Sequence, residues 1–234
     1  MAPPLYLELA PPEEAAKQID HLFVFRDTGV LSGGGRRRFA TDLFTLSVTR
    51  DDSSGARVSL APPRSGFTPR PRPFHGVVAG LRLSSRPKHL PESEVLDTLA
   101  SELARVQNGD DDLPALIAVL DGLARDLRFA APPGAYSHRT KRRKVRADTG
   151  VSRRRLAASR RFRQALGQLA SQRLPLSDLA LDAGYCDQSH MSVACRIFAG
   201  KPPGALRALS IPRRFDLLLQ DTRLKDRLRL VIDE

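Results

Sequence analysis

Apolar and polar residues alternate in short runs over the first 90 residues of the chain, and Pro, Gly and Ser residues separate these runs. Runs of about four to eight residues that are rich in β-branched and aromatic side chains are typical of strands when turn formers bound them. Examples are residues 21–26, 42–49, 56–60 and 74–83. The pattern predicts a small β-rich domain over residues 1–91, in which only residues 12–20 favour a helix.

A helical period begins at Glu92, where apolar residues recur three and four positions apart. The first set is Val95, Leu99, Leu103 and Val106, and the second is Leu116, Val119, Leu120, Leu123 and Leu127. Residues 108–112 (NGDDD) separate the two sets, and residues 130–134 (AAPPG) end the pattern because each proline removes a backbone donor. We predict a helical bridge between two domains over residues 92–130.

The segment that follows the bridge predicts two more helices. Ser137 is placed to cap the first helix and Gly150 to end it, while Ser152 opens a second and longer one. The apolar residues of the longer helix leave one of its flanks basic. In the tail, residues 211–234, apolar residues again stand at helical spacing, and we predict a closing helix that packs on the preceding helices or on a partner subunit.

Residues 174–207 have the spacing of a helix-turn-helix. A short helix that starts at Pro175 or Ser177 ends at Gly184, because the turn between the two helices needs a residue that accepts a positive φ. The polar residues from Asp187 onwards then cap a second helix. Its apolar residues recur at i, i+3, i+4 and i+7, and we expect them to be buried: Met191, Ala194, Cys195 and Phe198.

The opposite face of this second helix carries side chains that reach base edges in a major groove. Gln pairs with adenine, Arg pairs with guanine, and Val contacts the methyl group of thymine. We predict that the base-reading residues of this helix are Gln188, Ser189, His190, Ser192, Val193 and Arg196.

Positive charge is concentrated in the second half of the chain, whose total formal net charge is +12. Residues 1–130 hold 16 Lys/Arg and 17 Asp/Glu, whereas residues 131–234 hold 22 and 9. A basic half attracts polyanions and is the electrostatic footprint of a nucleic-acid binder. The alternative is that the positive charge forms a solvated surface that only keeps the chain soluble. We predict phosphate contacts by Ser137, Arg143, Arg146, Arg153, Arg154, Arg160 and Lys201.

The helix-turn-helix segment resembles the second helix-turn-helix of the AraC/XylS family of transcription regulators. The family pattern is present as Ala180, Gly184, Tyr185, Asp187, Ser189, His190, Gly200 and Pro203. The resemblance covers about residues 137–208, since the basic tract is similar to the family's first recognition helix and long linker helix. It implies an α+β fold class, in which a small β-rich N-terminal domain precedes an all-α C-terminal domain (residues 131–234) whose helix-turn-helix units are joined by a long helix.

The resemblance also implies partners. The recognition helix around residues 188–198 would enter the major groove of double-stranded DNA, and the helix at residues 137–148 would do the same. In this first unit the base-reading residues would be His138, Arg139 and Arg142. The N-terminal domain would take a small-molecule effector or mediate homodimer formation, and RNA polymerase is a further partner of such regulators.

The chain departs from the family pattern in the first unit. Lys141 stands where the family usually has an apolar residue, and Pro132 and Pro133 interrupt the helix expected before it. In the second recognition helix, Val193 and Cys195 replace a usual Arg and a usual Phe. These departures predict that the second helix-turn-helix is an intact base-reading unit and that the first is degraded.

No pattern in the sequence indicates an enzyme, a cofactor or a metal site. Cys186 and Cys195 occupy the turn and the core of the motif, and no further His lies near His190 to complete a zinc site. A nucleophile elbow and a phosphate-cradling glycine loop are both lacking. Without a long apolar run or a signal-peptide pattern, we predict a cytoplasmic protein that meets no membrane.

We therefore predict a sequence-specific transcriptional regulator of bacterial type that binds double-stranded DNA. One alternative is a non-specific RNA- or DNA-binding protein, which the basic tract favours but the lack of Trp and the three Tyr do not. The other alternative is a protein-interaction module derived from such a regulator.

Overall fold

The computed structural model describes residues 4–29, 37–38, 40–51, 54–66, 68–69, 73–108, 113–129, 137–172, 174–208 and 227–233. Within these ranges the chain has two parts. The front unit comprises the described residues up to 129 together with 227–233, and the helical unit comprises those from 137 to 208. The predicted α+β class, with a β-rich N-terminal part and a helical C-terminal part, is confirmed.

Antiparallel strands form the sheet of the front unit. In chain order the strands are β1 (Leu5–Leu9), β2 (Ile19–Thr28), β3 (Arg37–Arg38), β4 (Phe44–Asp51), β5 (Ser54–Ala61), β6 (Thr68–Pro69), β7 (His75–Leu83) and β8 (Leu228–Asp233). The main sheet has the order β5-β4-β7-β2-β1-β8, while β3 pairs with β6. The four predicted strands are confirmed as β2, β4, β5 and β7, whereas β1 was not predicted.

The described residues contain seven α-helices: α1 (Ser93–Asn108), α2 (Leu113–Asp126), α3 (His138–Thr149), α4 (Arg153–Ser171), α5 (Leu176–Asp182), α6 (Gln188–Ala199) and α7 (Pro203–Ala208). The helices predicted on either side of residues 108–112 are confirmed as α1 and α2, and the two predicted after Ser137 as α3 and α4. Residues 109–112 and 130–136, which contain the two proline positions noted above, lie outside the described residues.

One face of the main sheet packs against α1 and α2. Leu7 of β1 and its register partner Val24 of β2 point to this face, and both are buried. The periodic leucines of the two helices cover them: Leu99, Leu103, Leu116 and Leu120. Each fully buried side chain of this size contributes about 1.5–3 kcal/mol, so the segment predicted as a bridge is held firmly on the front sheet. The exact domain boundaries stay a prediction.

The end of the tail is a strand, and the closing helix predicted for residues 211–234 is wrong there. Strand β8 pairs with β1 in antiparallel register, and Ala10 N donates to Arg227 O at 2.7 Å. Arg227 also donates from Nη1 and Nη2 to both carboxylate oxygens of Asp121, at 2.7 and 2.6 Å. The open edge of β1 offers backbone groups that a helix could not satisfy, and the alternating sequence 228–232 (LRLVI) suits a strand equally well. Residues 209–226 lie outside the described residues.

The helix predicted at residues 12–20 is also wrong in extent. Only a 3-10 turn forms there, at Glu13–Ala15, and β2 already begins at Ile19. The backbone of Gln18 continues the pairing between β2 and β7, because Ser84 N donates to Gln18 O at 2.8 Å. Pairing with β7 therefore outweighs the local helical preference.

A second core lies inside the helical unit, among α4, α5, α6 and α7. Its fully buried side chains include Phe162, Leu179 and Met191. Phe162 of α4 stacks on Phe198 of α6, with ring centroids 5.5 Å apart. The long helix α4 is thus the support on which the helix-turn-helix packs.

Candidate nucleic-acid interface

The turn between α5 and α6 has the geometry of a helix-turn-helix. Gly184 adopts a φ of +78°, and Tyr185 N donates to Ala180 O at 2.8 Å, so the chain reverses immediately after α5. Asp187 then caps α6, because its Oδ1 accepts from His190 N at 2.7 Å. Gly200, with a φ of +70°, ends α6. The sequence predicted that the first helix ends at Gly184 and that a polar residue from Asp187 onwards caps the second; Gly200 was given only as part of the family pattern.

One face of α6 is buried as predicted. Met191, Ala194, Cys195 and Phe198 all pack in the core of the helical unit. Burial raises the pKa of Cys195 to about 11. It also raises the pKa of Tyr185 to about 12, an effect to which Cys195 adds and which Arg161 opposes. Both groups are therefore neutral in the folded protein at ordinary pH, as members of an apolar core.

The other face of α6 is open to solvent. Five of the six predicted base-reading residues are exposed: Gln188, Ser189, His190, Val193 and Arg196. The sixth, Ser192, is half-buried. His190 also has a structural contact, because its ring meets that of Tyr185 edge-on at 5.2 Å and its Nδ1 accepts from Cys186 N at 3.5 Å. The face therefore presents hydrogen-bonding, charged and apolar groups together.

Ile197 belongs to the same exposed face and was not predicted to take part. Its side chain is 42% exposed, and that of Val193, one turn earlier, is 51% exposed. The exposure of Ile197 could have been predicted from the helical period, because position 197 lies outside the stripe that Met191, Ala194 and Phe198 define.

Helix α3 is strongly basic and packs little against the rest of the protein. Ser137 caps it by accepting from Thr140 N at 3.2 Å, and Gly150 ends it with a φ of +71°. Its predicted site residues that can be described are exposed: Arg139, Arg142, Arg143 and Arg146. The side chain of His138 lies outside the described residues. None of the described side chains of α3 is buried, which agrees with a first unit that lacks the apolar face of a packed recognition helix.

The basic residues of α4 differ in their contacts: some are exposed, and others form ion pairs with the front unit. Arg153 and Arg154 in its first turn are exposed, and so is Lys201 after α6. By contrast, Arg160 donates from Nε to Asp42 Oδ2 of the front unit at 3.0 Å, although it was predicted to contact phosphate. Its side chain is still 66% exposed, so the contact with Asp42 leaves much of the guanidinium in solvent.

Arg163 lies one turn further along α4 and contacts two carboxylates of the front unit. It donates from Nε to Asp42 Oδ1 at 3.0 Å and from Nη1 to Asp20 Oδ1 at 2.9 Å. Burial alone would lower the pKa of Arg163, but its hydrogen bonds and charge interactions with Asp42 and Asp20 outweigh that effect and raise the pKa. Arg163 is therefore an ion-pair residue that joins the two units.

A segment of the front unit also reaches the end of α6. Ala40 is buried in the core of the helical unit, and its N–H donates to Phe198 O at 3.0 Å. Beside it, the guanidinium of Arg155 lies 4.6 Å from the centre of the Phe198 ring, and its Nε donates to Ser65 O at 2.8 Å. The front unit thus contacts both the support helix α4 and the C-terminal end of α6.

The described part of the chain contains no group of three or more His, Cys, Asp or Glu residues placed to hold a metal ion. Cys186 is exposed, Cys195 is buried, and the two are not joined. Among the described helices, none is both long and apolar enough to cross a membrane.

Comparison with known proteins identifies the helical unit. Residues 135–208 match the family model described as "Helix-turn-helix domain". A comparison with curated proteins gave no match. Among solved structures, the chain is similar to ToxT from Vibrio cholerae O395, with 10% identity, 90% of this chain and 98% of that chain covered, and a TM-score of 0.41.

Two further structures of ToxT, from Vibrio cholerae strain SCE256, are similar to the chain at the same level. The apo form has 9% identity and a TM-score of 0.40, with 88% of this chain and 97% of that chain covered. The wild-type form bound to unsaturated fatty acid has 9% identity and a TM-score of 0.38, with 90% and 98% covered. The family match and the geometry described above agree that residues 135–208 form a helix-turn-helix domain.

Proposed function

We propose that the protein regulates transcription by binding a specific sequence of double-stranded DNA, with α6 inserted in the major groove. One observation carries this proposal. Helix α6 is capped at both ends and buried along one side, while Gln188, Val193 and Arg196 are among its solvent-exposed residues. A rigid helix that offers both hydrogen-bonding and apolar groups is the element that reads base edges.

In this proposal, exposed basic residues outside α6 contact the phosphates of the DNA. The exposed basic residues of α3 and of the first turn of α4 include Arg143, Arg146, Arg153 and Arg154, and Lys201 follows α6 directly. Such contacts position a protein on the duplex but carry no sequence information. None of the described side chains of α3 is buried, and we propose that Arg139 and Arg142 act in this way and do not read bases.

The experiment is selection of a binding site from random duplex DNA, followed by titration against that site, random duplex and single-stranded RNA at several salt concentrations. A regulator keeps a preference of about a thousand-fold or more for its site over random duplex. Equal affinity for all three nucleic acids, with the same salt dependence, would establish the non-specific binder. If the protein binds none of them at low salt, the protein-interaction module becomes the better account.

Control by a small-molecule effector stays a prediction, and one feature of the front unit supports it. The sheet face away from α1 and α2 carries an aromatic group in which Phe25 contacts Tyr6 and Phe74, with ring centroids 6.2 and 5.8 Å apart. Beside it, the guanidinium of Arg82 lies 5.0 Å from the centre of the Phe23 ring. A face with aromatic and charged side chains suits an amphipathic ligand. A homodimer partner and RNA polymerase also stay predictions.

A further inference from the structure

The exposed face of α6 contains an apolar pair that hydrogen bonding does not explain. Val193 and Ile197 stand at positions i and i+4, so their side chains are neighbours on the helix surface. They are 51% and 42% exposed, although large apolar side chains usually lie in the core. Neither residue belongs to the buried cluster of the helical unit or to the partly buried side chains that pack against it.

The neighbours of this pair limit what it can contact. Arg196 lies between the two positions in sequence and is exposed on the same face, and Ser189 stands one turn before Val193. The helical unit also carries the exposed basic residues of α3 and of the first turn of α4. An apolar pair set among cations and hydroxyls matches a surface that is negatively charged and polar but offers isolated apolar groups.

Duplex DNA has such a surface in its major groove. The C5-methyl group of thymine is the one apolar group that a base pair presents there, and side chains that contact it distinguish thymine from cytosine. We infer that Val193 and Ile197 read thymine methyl groups, so that the target site has thymines at the positions facing this pair. This inference rests on the proposed function, because it requires α6 to lie in the major groove.

Replacement of thymine by deoxyuridine tests the inference, because it removes the methyl group and leaves every hydrogen-bonding group of the base pair in place. Each thymine of the selected site is replaced in turn, and the Kd of the full-length protein is measured by fluorescence anisotropy at one salt concentration. Loss of one buried methyl weakens binding about four-fold. We expect this loss at one or two thymines of the site.

Three variants then assign the effect to the pair. Each of Val193→Ala and Ile197→Ala is compared on two duplexes, which differ only in having thymine or deoxyuridine at the position that the replaced residue contacts. Each variant should bind its two duplexes with the same Kd. The matched control is Leu181→Ala, which removes an apolar side chain that is 60% exposed but lies on α5. This control should keep the full four-fold difference.

The possible failures are distinguishable. If a specific site is selected but no deoxyuridine substitution weakens binding, the inference is overturned and the proposed function stands. The same holds if the methyl dependence persists unchanged in both Val193→Ala and Ile197→Ala. If no site is selected at all, the proposed function fails and the inference fails with it.

Discussion

The carboxylate of Asp42 accepts a hydrogen bond from Arg163 across the boundary between the front unit and the helical unit, with 3.0 Å between Oδ1 and Nε. Its other oxygen accepts from Arg160, also at 3.0 Å. The Asp42 side chain is only 1% exposed, so it depends on these arginines for compensation of its charge. The relative position of the two units is therefore fixed by an ion pair as well as by the burial of Ala40.

Substitution of Asp42 by Asn should destabilise the protein. The amide is nearly isosteric, but it replaces a charged acceptor by a neutral one and leaves Arg163 without its main partner. We expect a loss of about 1–3 kcal/mol in the free energy of unfolding, measured by urea denaturation. The matched control is Glu14→Gln, which breaks the exposed pair between Glu14 and Arg125 and should leave the midpoint unchanged. Equal effects of the two substitutions would contradict the role given to Asp42.

Substitution of Arg142 by Ala should weaken binding to all DNA sequences alike. Because α3 buries none of the side chains that the structure describes, we expect this exposed arginine to contact phosphate. Loss of one phosphate contact lowers the slope of log K against log salt by about one, without changing the selected sequence. Arg86→Ala, an exposed arginine of the front unit, is the control and should leave the slope intact. A changed base preference at one position would instead make α3 a second reader.

Substitution of Gly80 by Ala should disrupt the main sheet. A Cβ atom at this position of β7 would lie 2.1 Å from Leu46 O and 2.8 Å from Ser47 Cα of the neighbouring strand β4, so the two backbones would have to separate. We expect a loss of about 1–3 kcal/mol or more, seen as a lower urea midpoint. Gly122→Ala in α2 is the opposite case, because nothing lies within 4 Å of the added atom. It should stabilise the protein by about 0.5–1 kcal/mol, and a destabilising effect as large as that of Gly80→Ala would refute the distinction.

Stability should fall at alkaline pH because of two neutral groups in the core of the helical unit. Burial raises the pKa of Cys195 to about 11 and that of Tyr185 to about 12, from ordinary values of 9.0 and 10.0. Between those values the unfolded chain loses protons that the folded chain keeps. The stability that these groups contribute is complete below pH 9 and disappears as the pH rises to between 11 and 12.

Urea denaturation from pH 8 to pH 11 measures this effect. We expect the free energy of unfolding to fall over that range, with each group contributing on the order of 1–2 kcal/mol. Cys195→Val and Tyr185→Phe should each flatten the decline, whereas Cys186→Ser, at an exposed cysteine, should not. A decline of the same size in all four proteins would show that other groups cause it.

Local patterns in the sequence predicted the elements whose partners are close or whose periodicity is strong. Helix α6 has buried residues at i, i+3, i+4 and i+7 and a cap at each end, and its exposed face follows from the same period. Strand β1 was missed because its five residues stand between prolines, and the pattern LYLEL becomes a strand only through pairing with β2 and β8. The tail was misassigned because its partner, β1, lies at the other end of the chain.

The contacts between the two units could not be predicted from the sequence. Arg160 and Arg163 are separated from Asp42 by 118 and 121 residues, and nothing in the local sequence distinguishes them from the other arginines of α4. The basic character of Arg160 alone led to its prediction as a phosphate contact, and no site role was predicted for Arg163. Only the tertiary arrangement shows that this part of the helix contacts carboxylates.

The central claim is that α6 reads bases, and Arg196→Ala tests it most directly. Sites are selected from random duplex DNA with the wild-type protein and with this variant, and the Kd of each protein is measured for the wild-type site. We predict that the variant loses affinity by about 1–3 kcal/mol and accepts any base at one position, while preference at the other positions persists. An unchanged selected sequence and an unchanged Kd would contradict the claim that α6 lies in the major groove.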